Sequence, residues 1–116
     1  MSKVLICGNR TWTDWEPIYE YVRALSEDTI VVQGGARGAD HIAAALAQDF
    51  ALEVRTYPAN WKKFGKRAGV LRNAEMLEKE HPDLVVAFTR NLATSKGTRD
   101  MVERARRAGI PVEVRP

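Results

Sequence analysis

Apolar residues gather in five short runs, at 3–7, 29–33, 52–57, 83–88 and 111–115. The first, second and fourth contain unbroken apolar stretches, VLI, IVV and LVVAF. Continuous apolar strands are what a parallel sheet covered on both faces requires. The third and fifth, LEVRTY and PVEVR, alternate apolar with polar residues. Alternation suits a strand with one wet face, which places these two at the sheet edges. Pro111 opens the fifth run, where its missing N–H costs least.

Between the runs the period becomes helical. Trp15, Ile18, Val22 and Leu25 predict a helix over 15–26, with Asp14 as its N-cap and Pro17 in its first turn. Ile42, Ala43, Leu46, Ala47 and Phe50 predict one over 40–50. Leu71, Ala74 and Leu77 predict one over 70–80, and Met101, Val102, Ala105 and Ala108 one over 98–108, stopped by Gly109 and Pro111. Segment 58–69 reads as a loop long enough to act as a lid. Strict alternation of strand and helix predicts an α/β fold, a Rossmann-like three-layer sandwich with a five-stranded parallel sheet, with 1–116 forming one domain. Ligands of such sheets bind outside the carboxyl ends of the strands, where the strand order reverses.

The loops that fall at that end carry anion-binding chemistry. Gly8 permits a tight turn, and Arg10 can grip a phosphate or carboxylate through two N–H groups. Gly34, Gly35 and Gly38 follow a buried strand and open an alanine-rich helix, an arrangement that can expose backbone N–H groups to a phosphate. The spacing is neither that of a Walker loop nor GxGxxG, and a tight turn with Asp40 as a cap is the plainer alternative. Trp61 with Lys62, Lys63, Phe64, Lys66 and Arg67, leading to Arg72 and Asn73, interleaves rings with cations. Such a stretch can stack a base and hold phosphates, or stand as a solvated loop. Ser95, Gly97 and Thr98 make a second candidate nest or an ordinary helix cap. Convergence of these loops on one sheet end favours a ligand. Trp12 and Trp61 both offer a stacking face.

Composition narrows the classes without choosing among them. The net charge of +3 permits an anionic partner but does not demand one. The single cysteine, Cys7, sits in an apolar run as an inert thiol, and with two distant histidines it makes no metal pattern. No cofactor is implied. No segment approaches the roughly 20 apolar residues of a membrane span, and a cytoplasmic location is expected.

The pieces GNRTWTD, QGGARGAD, Trp61 with Lys66–Gly69, RNAEML and SKGTRDMV, in this order, make the chain resemble the SLOG superfamily, which includes Smf/DprA and LOG proteins, and most closely its YspA-like, YpsA-related branch. The resemblance implies a Rossmann-like domain and a nucleotide-related ligand. Its precedents diverge among release of a base from a nucleoside monophosphate, single-stranded DNA binding and nucleotide sensing. LOG enzymes carry a glutamate in PGGxGTxxE; aligned on Gly97 and Thr98, that position here is Met101, and Asp100 is turned about 100° away on the helix. The reading is therefore binding or sensing of a nucleotide-like small molecule. The alternatives are N-glycosidic hydrolysis with Asp40 or Glu75 as the carboxylate, and single-stranded nucleic-acid binding. A homodimer through helix 15–26 or 98–108 is compatible with the pattern.

Overall fold

The computed structural model describes residues 2–116. Its elements are β1 (Lys3–Gly8), α1 (Trp15–Arg23), β2 (Ile30–Gln33), α2 (Ala39–Asp49), β3 (Glu53–Thr56), α3 (Trp61–Phe64), α4 (Ala68–Glu80), β4 (Leu84–Phe88), α5 (Lys96–Arg107) and β5 (Val112–Arg115). Short 3₁₀ turns at Gly65–Arg67 and Leu92–Thr94 precede α4 and α5. The strands form one five-stranded sheet in the order β3-β2-β1-β4-β5, and every pairing is parallel. The alternating strands β3 and β5 are the edges, as their half-wet pattern predicts.

Each internal strand feeds two cores, because successive side chains point to opposite faces. Val4, Ile6, Val31, Val86 and Phe88 pack with Ile18 and Val22 of α1 and Ile42, Ala43 and Leu46 of α2. Leu5, Val32, Val85 and Ala87 pack with Met76 and Leu77 of α4 and Met101, Val102 and Ala105 of α5. Two helices thus cover each face, and burial on both sides explains the unbroken apolar runs.

Helix boundaries depart from the periodicity for local reasons. Asp14 caps α1 by accepting from the Glu16 N–H at 3.2 Å. The helix ends at Arg23 rather than residue 26, since Ala24 and Leu25 donate to the carbonyls three residues back. Ser26 then binds Asp28 and Thr29 through its hydroxyl, a local alternative to another helical turn. The expected loop 58–69 is largely helical. Asn60 accepts from the Lys63 N–H at 3.0 Å and nucleates α3, and Gly65, with φ of 58°, ends it.

The chain runs outward from β1 to β2 and β3, then returns to place β4 on the other side of β1. The strand order therefore reverses between β1 and β4, whose ends meet in register at Gly8 and Phe88.

Candidate functional site

A cleft of about 580 Å³ opens at this switch point. Gly8, Arg10, Asp40, Trp61, Arg72, Asn73, Ser95, Gly97 and Thr98, all candidates from the sequence, line it. Lys66, part of the basic stretch offered for phosphate, also lines it, as do Asn9 and Lys96, which lie inside marked motifs but were not singled out as site residues. Gly34, Gly35 and Gly38 are not in the lining.

The glycine turn explains its own residues. Asp40 lies in the first turn of α2 and reaches back, its Oδ2 accepting from the N–H groups of Gly34 at 3.1 Å and Ala36 at 3.4 Å. The Gly35 N–H donates to Gln33 Oε1 at 2.6 Å. These donors are engaged by the protein's own side chains, with a carboxylate where a phosphate was expected. Asp40 accordingly does not cap its helix in the usual way; it ties down the preceding turn. Gly38 has φ of 77°, and a Cβ there would lie 2.6 Å from Arg10 O and closer still to Asn9 O. Its role is to bring the turn against the β1–α1 loop. Gly8 is fixed by packing too, since a Cβ would lie 2.6 Å from that of Ala39.

Arg72 bridges the sheet end. Its Nη1 donates to Gly34 O at 2.5 Å and Tyr57 O at 3.2 Å, and its Nε to Asn73 Oδ1 at 3.0 Å. Nη2 has no hydrogen-bond partner among the described residues. Asn73, which is buried, donates in turn to Gly97 O and Asp100 Oδ2, both at 3.1 Å. Arg104 Nε holds the same Asp100 oxygen at 2.8 Å. A hydrogen-bonded chain therefore runs from α5 through α4 to the β2–α2 turn.

The electrostatics follow from burial. Asp40 is pushed up to about 6 by desolvation, against the pull of Arg72, the Ala36 and Gly34 N–H groups, and Arg10. Arg72 is drawn down by its own burial, which the Asp40 charge opposes. Burial raises the Cys7 thiol far above the usual range, in keeping with an inert group.

The rim is cationic and open. Arg10 stacks over the Trp61 ring at 4.8 Å, joining the first loop to α3. Trp61 is about half exposed, whereas Trp12 is buried edge-on against Phe88 and offers no stacking face. At the start of α5, Ser95 turns its hydroxyl to Thr98 at 2.8 Å, and no side chain caps the helix N–H groups. A Cβ on Gly97 would meet no neighbouring atom within 4 Å.

The candidate carboxylates separate. Asp40 lies in the cleft lining. Glu75 is exposed on α4, 3.4 Å from Lys79, and does not line the cleft, which corrects its placement near the pocket. Met101 is wholly buried between α5 and the sheet, and Asp100 is held by Asn73 and Arg104. No group of metal-ligating side chains occurs among the described residues, and no helix there is long and apolar enough to cross a membrane.

Comparison with known proteins matches this architecture. The fold is similar to that of DNA processing protein A (DprA) from Streptococcus pneumoniae, with a TM-score of 0.80 at 17% identity, over 100% of this chain and 50% of that one. It is also similar to the C-terminal domain of the PF1911 hydrogenase from Pyrococcus furiosus, with a TM-score of 0.53 at 18% identity, over 97% and 90% of the two chains. The chain thus spans half the length of the DprA structure. In sequence it is 40% identical to the Gene 61 protein of Mycobacterium phage D29, over 97% of this chain and 94% of the relative. Residues 2–64, more than half the chain, match the family described as YAcAr: YspA, cpYpsA-related SLOG family, and with this relative they show that the chain belongs to it.

Proposed function

We propose that the protein binds a nucleotide unit at the β1–β4 switch point, its phosphate at the N-terminus of α5 and its base toward Trp61. The observation that carries this reading is Gly97. It sits in the first turn of a 12-residue helix, at the cleft, with open space where its side chain would be. Glycine in a helix costs up to about 1 kcal/mol relative to alanine, and no packing neighbour here accounts for it. Close approach of a ligand does account for it, because an uncapped helix start presents N–H groups and the positive end of its dipole. Lys96, Lys66 and Arg10 on the same cleft supply charge of the matching sign.

The test is titration of wild type and Gly97→Val with AMP and with inorganic phosphate. The variant keeps its melting temperature and loses affinity by on the order of tenfold or more, a single lost charged contact. Equal affinity in both proteins overturns the placement.

A second reading, single-stranded nucleic acid, is favoured by α3 and the turn after it. Trp61 and Phe64 are exposed beside Lys62, Lys63, Lys66 and Arg67, and none of these cations pairs with a carboxylate among the described residues. Rings interleaved with cations suit stacked bases on a phosphate backbone. The fold shared with a DNA processing protein makes DNA the first strand to try. Binding of a labelled oligonucleotide should weaken steeply with salt if several phosphates are held. A salt dependence no steeper than that of a mononucleotide removes the strand reading.

A further inference from the structure

The floor of the cleft is built differently from its rim. Asp40 is nearly inaccessible, yet only one of its oxygens is spent on the protein: Oδ2 takes both turn N–H groups. Oδ1 has no hydrogen-bond partner among the described residues, and the residue lines the cleft. Asn9, its neighbour in the lining, has its Oδ1 fully buried and likewise without a protein partner. Buried acceptors are ordinarily satisfied; Asn9 Oδ1 is such a buried orphan, Asp40 Oδ1 keeps some accessible surface, and a ligand in the cleft that supplies donors accounts for both.

A phosphate is the wrong partner for these oxygens. It brings negative charge to a carboxylate and, when fully ionised, no donor. Arg72 does not reverse this: its Nη1 and Nε are committed to Gly34, Tyr57 and Asn73, and a phosphate met by the remaining Nη2 would still leave both oxygens without a donor. A pair of hydroxyls is the right partner, since each supplies one O–H and a carboxylate oxygen is a strong acceptor for it.

We propose that Asp40 Oδ1 and Asn9 Oδ1 form a sugar-hydroxyl subsite, which takes the vicinal diol of a ribose while the phosphate lies at the α5 end. The inference rests on the nucleotide reading above and deepens it. It makes the protein selective for ribonucleotides and gives the glycine turn a purpose: Gly34 and Ala36 hold one carboxylate oxygen so that the other faces the ligand. Asp40 is then a binding residue, and Gln33, which fixes the Gly35 N–H, is a positioning residue.

The experiment is calorimetric titration of the full chain with ribonucleoside monophosphates and with their deoxy and dideoxy counterparts, for all common bases, plus inorganic phosphate. Affinity in the unmodified protein falls by about tenfold when the hydroxyl held by Asp40 is removed, the worth of one hydrogen bond to a charged acceptor, and by a smaller factor for the hydroxyl on the neutral Asn9 amide. In Asp40→Asn the gap between ribo and dideoxy ligands narrows by the factor that Asp40 supplies, leaving the part held by Asn9, and inorganic phosphate binds at least as well as before. If the phosphate compounds bind with affinities independent of the sugar hydroxyls, or ranked instead by the exocyclic amine of the base, the subsite is refuted and the nucleotide reading stands. If no phosphate compound binds, the nucleotide reading itself has failed. The dideoxy series needs no variant, so a poorly folded Asp40→Asn does not remove the test.

Discussion

Asp40→Asn should change how stability depends on pH, with a sign opposite to that of most native carboxylates. Burial raises the Asp40 carboxyl from 3.8 to about 6, so the folded state holds its proton over a range where the unfolded chain has lost it. Stability from this group is therefore fully present below about 3.8 and is lost as pH rises through about 6. At 1.36 kcal/mol per pKa unit the loss is about 3 kcal/mol, a sizeable part of the 5–15 kcal/mol typical of a domain. Because Asp40 is buried, solvent screening reduces this little. Asparagine can still accept from Gly34 and Ala36 but does not titrate. Urea unfolding of both proteins from about pH 4 to 8 isolates the effect, because every other carboxylate cancels in the difference. The stability of wild type minus variant should fall by about 1.4 kcal/mol per pH unit between about 4 and 6, then level. Parallel curves across that range would show that the buried carboxyl is not raised and that the desolvation argument fails.

Three further outcomes follow from the same geometry. Gly38→Ala should lower stability by about 1–3 kcal/mol, through a backbone conformation with φ of 77° and a Cβ forced against the Asn9 and Arg10 carbonyls; its urea midpoint checks this. Met101→Glu, which restores the LOG glutamate in sequence, should lose at least about 3 kcal/mol by putting an unpaired carboxylate among core residues. No base release should appear in the folded fraction, as read by chromatography of AMP incubations. Glu80→Gln should destabilise at neutral pH, because Glu80 takes Lys3, Arg55 and Tyr57 together. Burial alone would raise the Glu80 carboxyl, but those partners hold it below its usual value, so the gap to wild type should narrow as pH falls through the carboxylate range.

The fold was legible because the apolar pattern reports burial directly. LVVAF and IVV have no polar position on either face, and only a strand covered on both sides can use such a run. The edges declared themselves through LEVRTY and PVEVR for the same reason. What the pattern missed is set by single side-chain contacts. Asn60 turns the expected lid into α3 by accepting one N–H, and Ser26 shortens α1 by offering its hydroxyl to Asp28 and Thr29. Such contacts leave no periodicity to detect.

The site was legible at the level of loops and misread at the level of atoms. Three glycines after a buried strand suggested free N–H groups, and the plainer alternative, a tight turn with Asp40 as a cap, came nearer: Asp40, in the next helix, folds back to take two of them. Sequence spacing did hide the purpose of Gly8 and Gly38, which answer to Ala39 and to the Asn9 and Arg10 carbonyls across the sheet end. Gly97 is the reverse case. Read with Ser95 and Thr98 as a second candidate nest or an ordinary helix cap, it is a cleft glycine with open space at its missing side chain and no positive φ to require it. Glycines at a sheet end thus divide into those demanded by the protein's own backbone and those left open. In this chain the division is what favours the start of α5 over the β2–α2 turn as the proposed phosphate site, since the N–H groups of the turn are taken by Asp40 and Gln33.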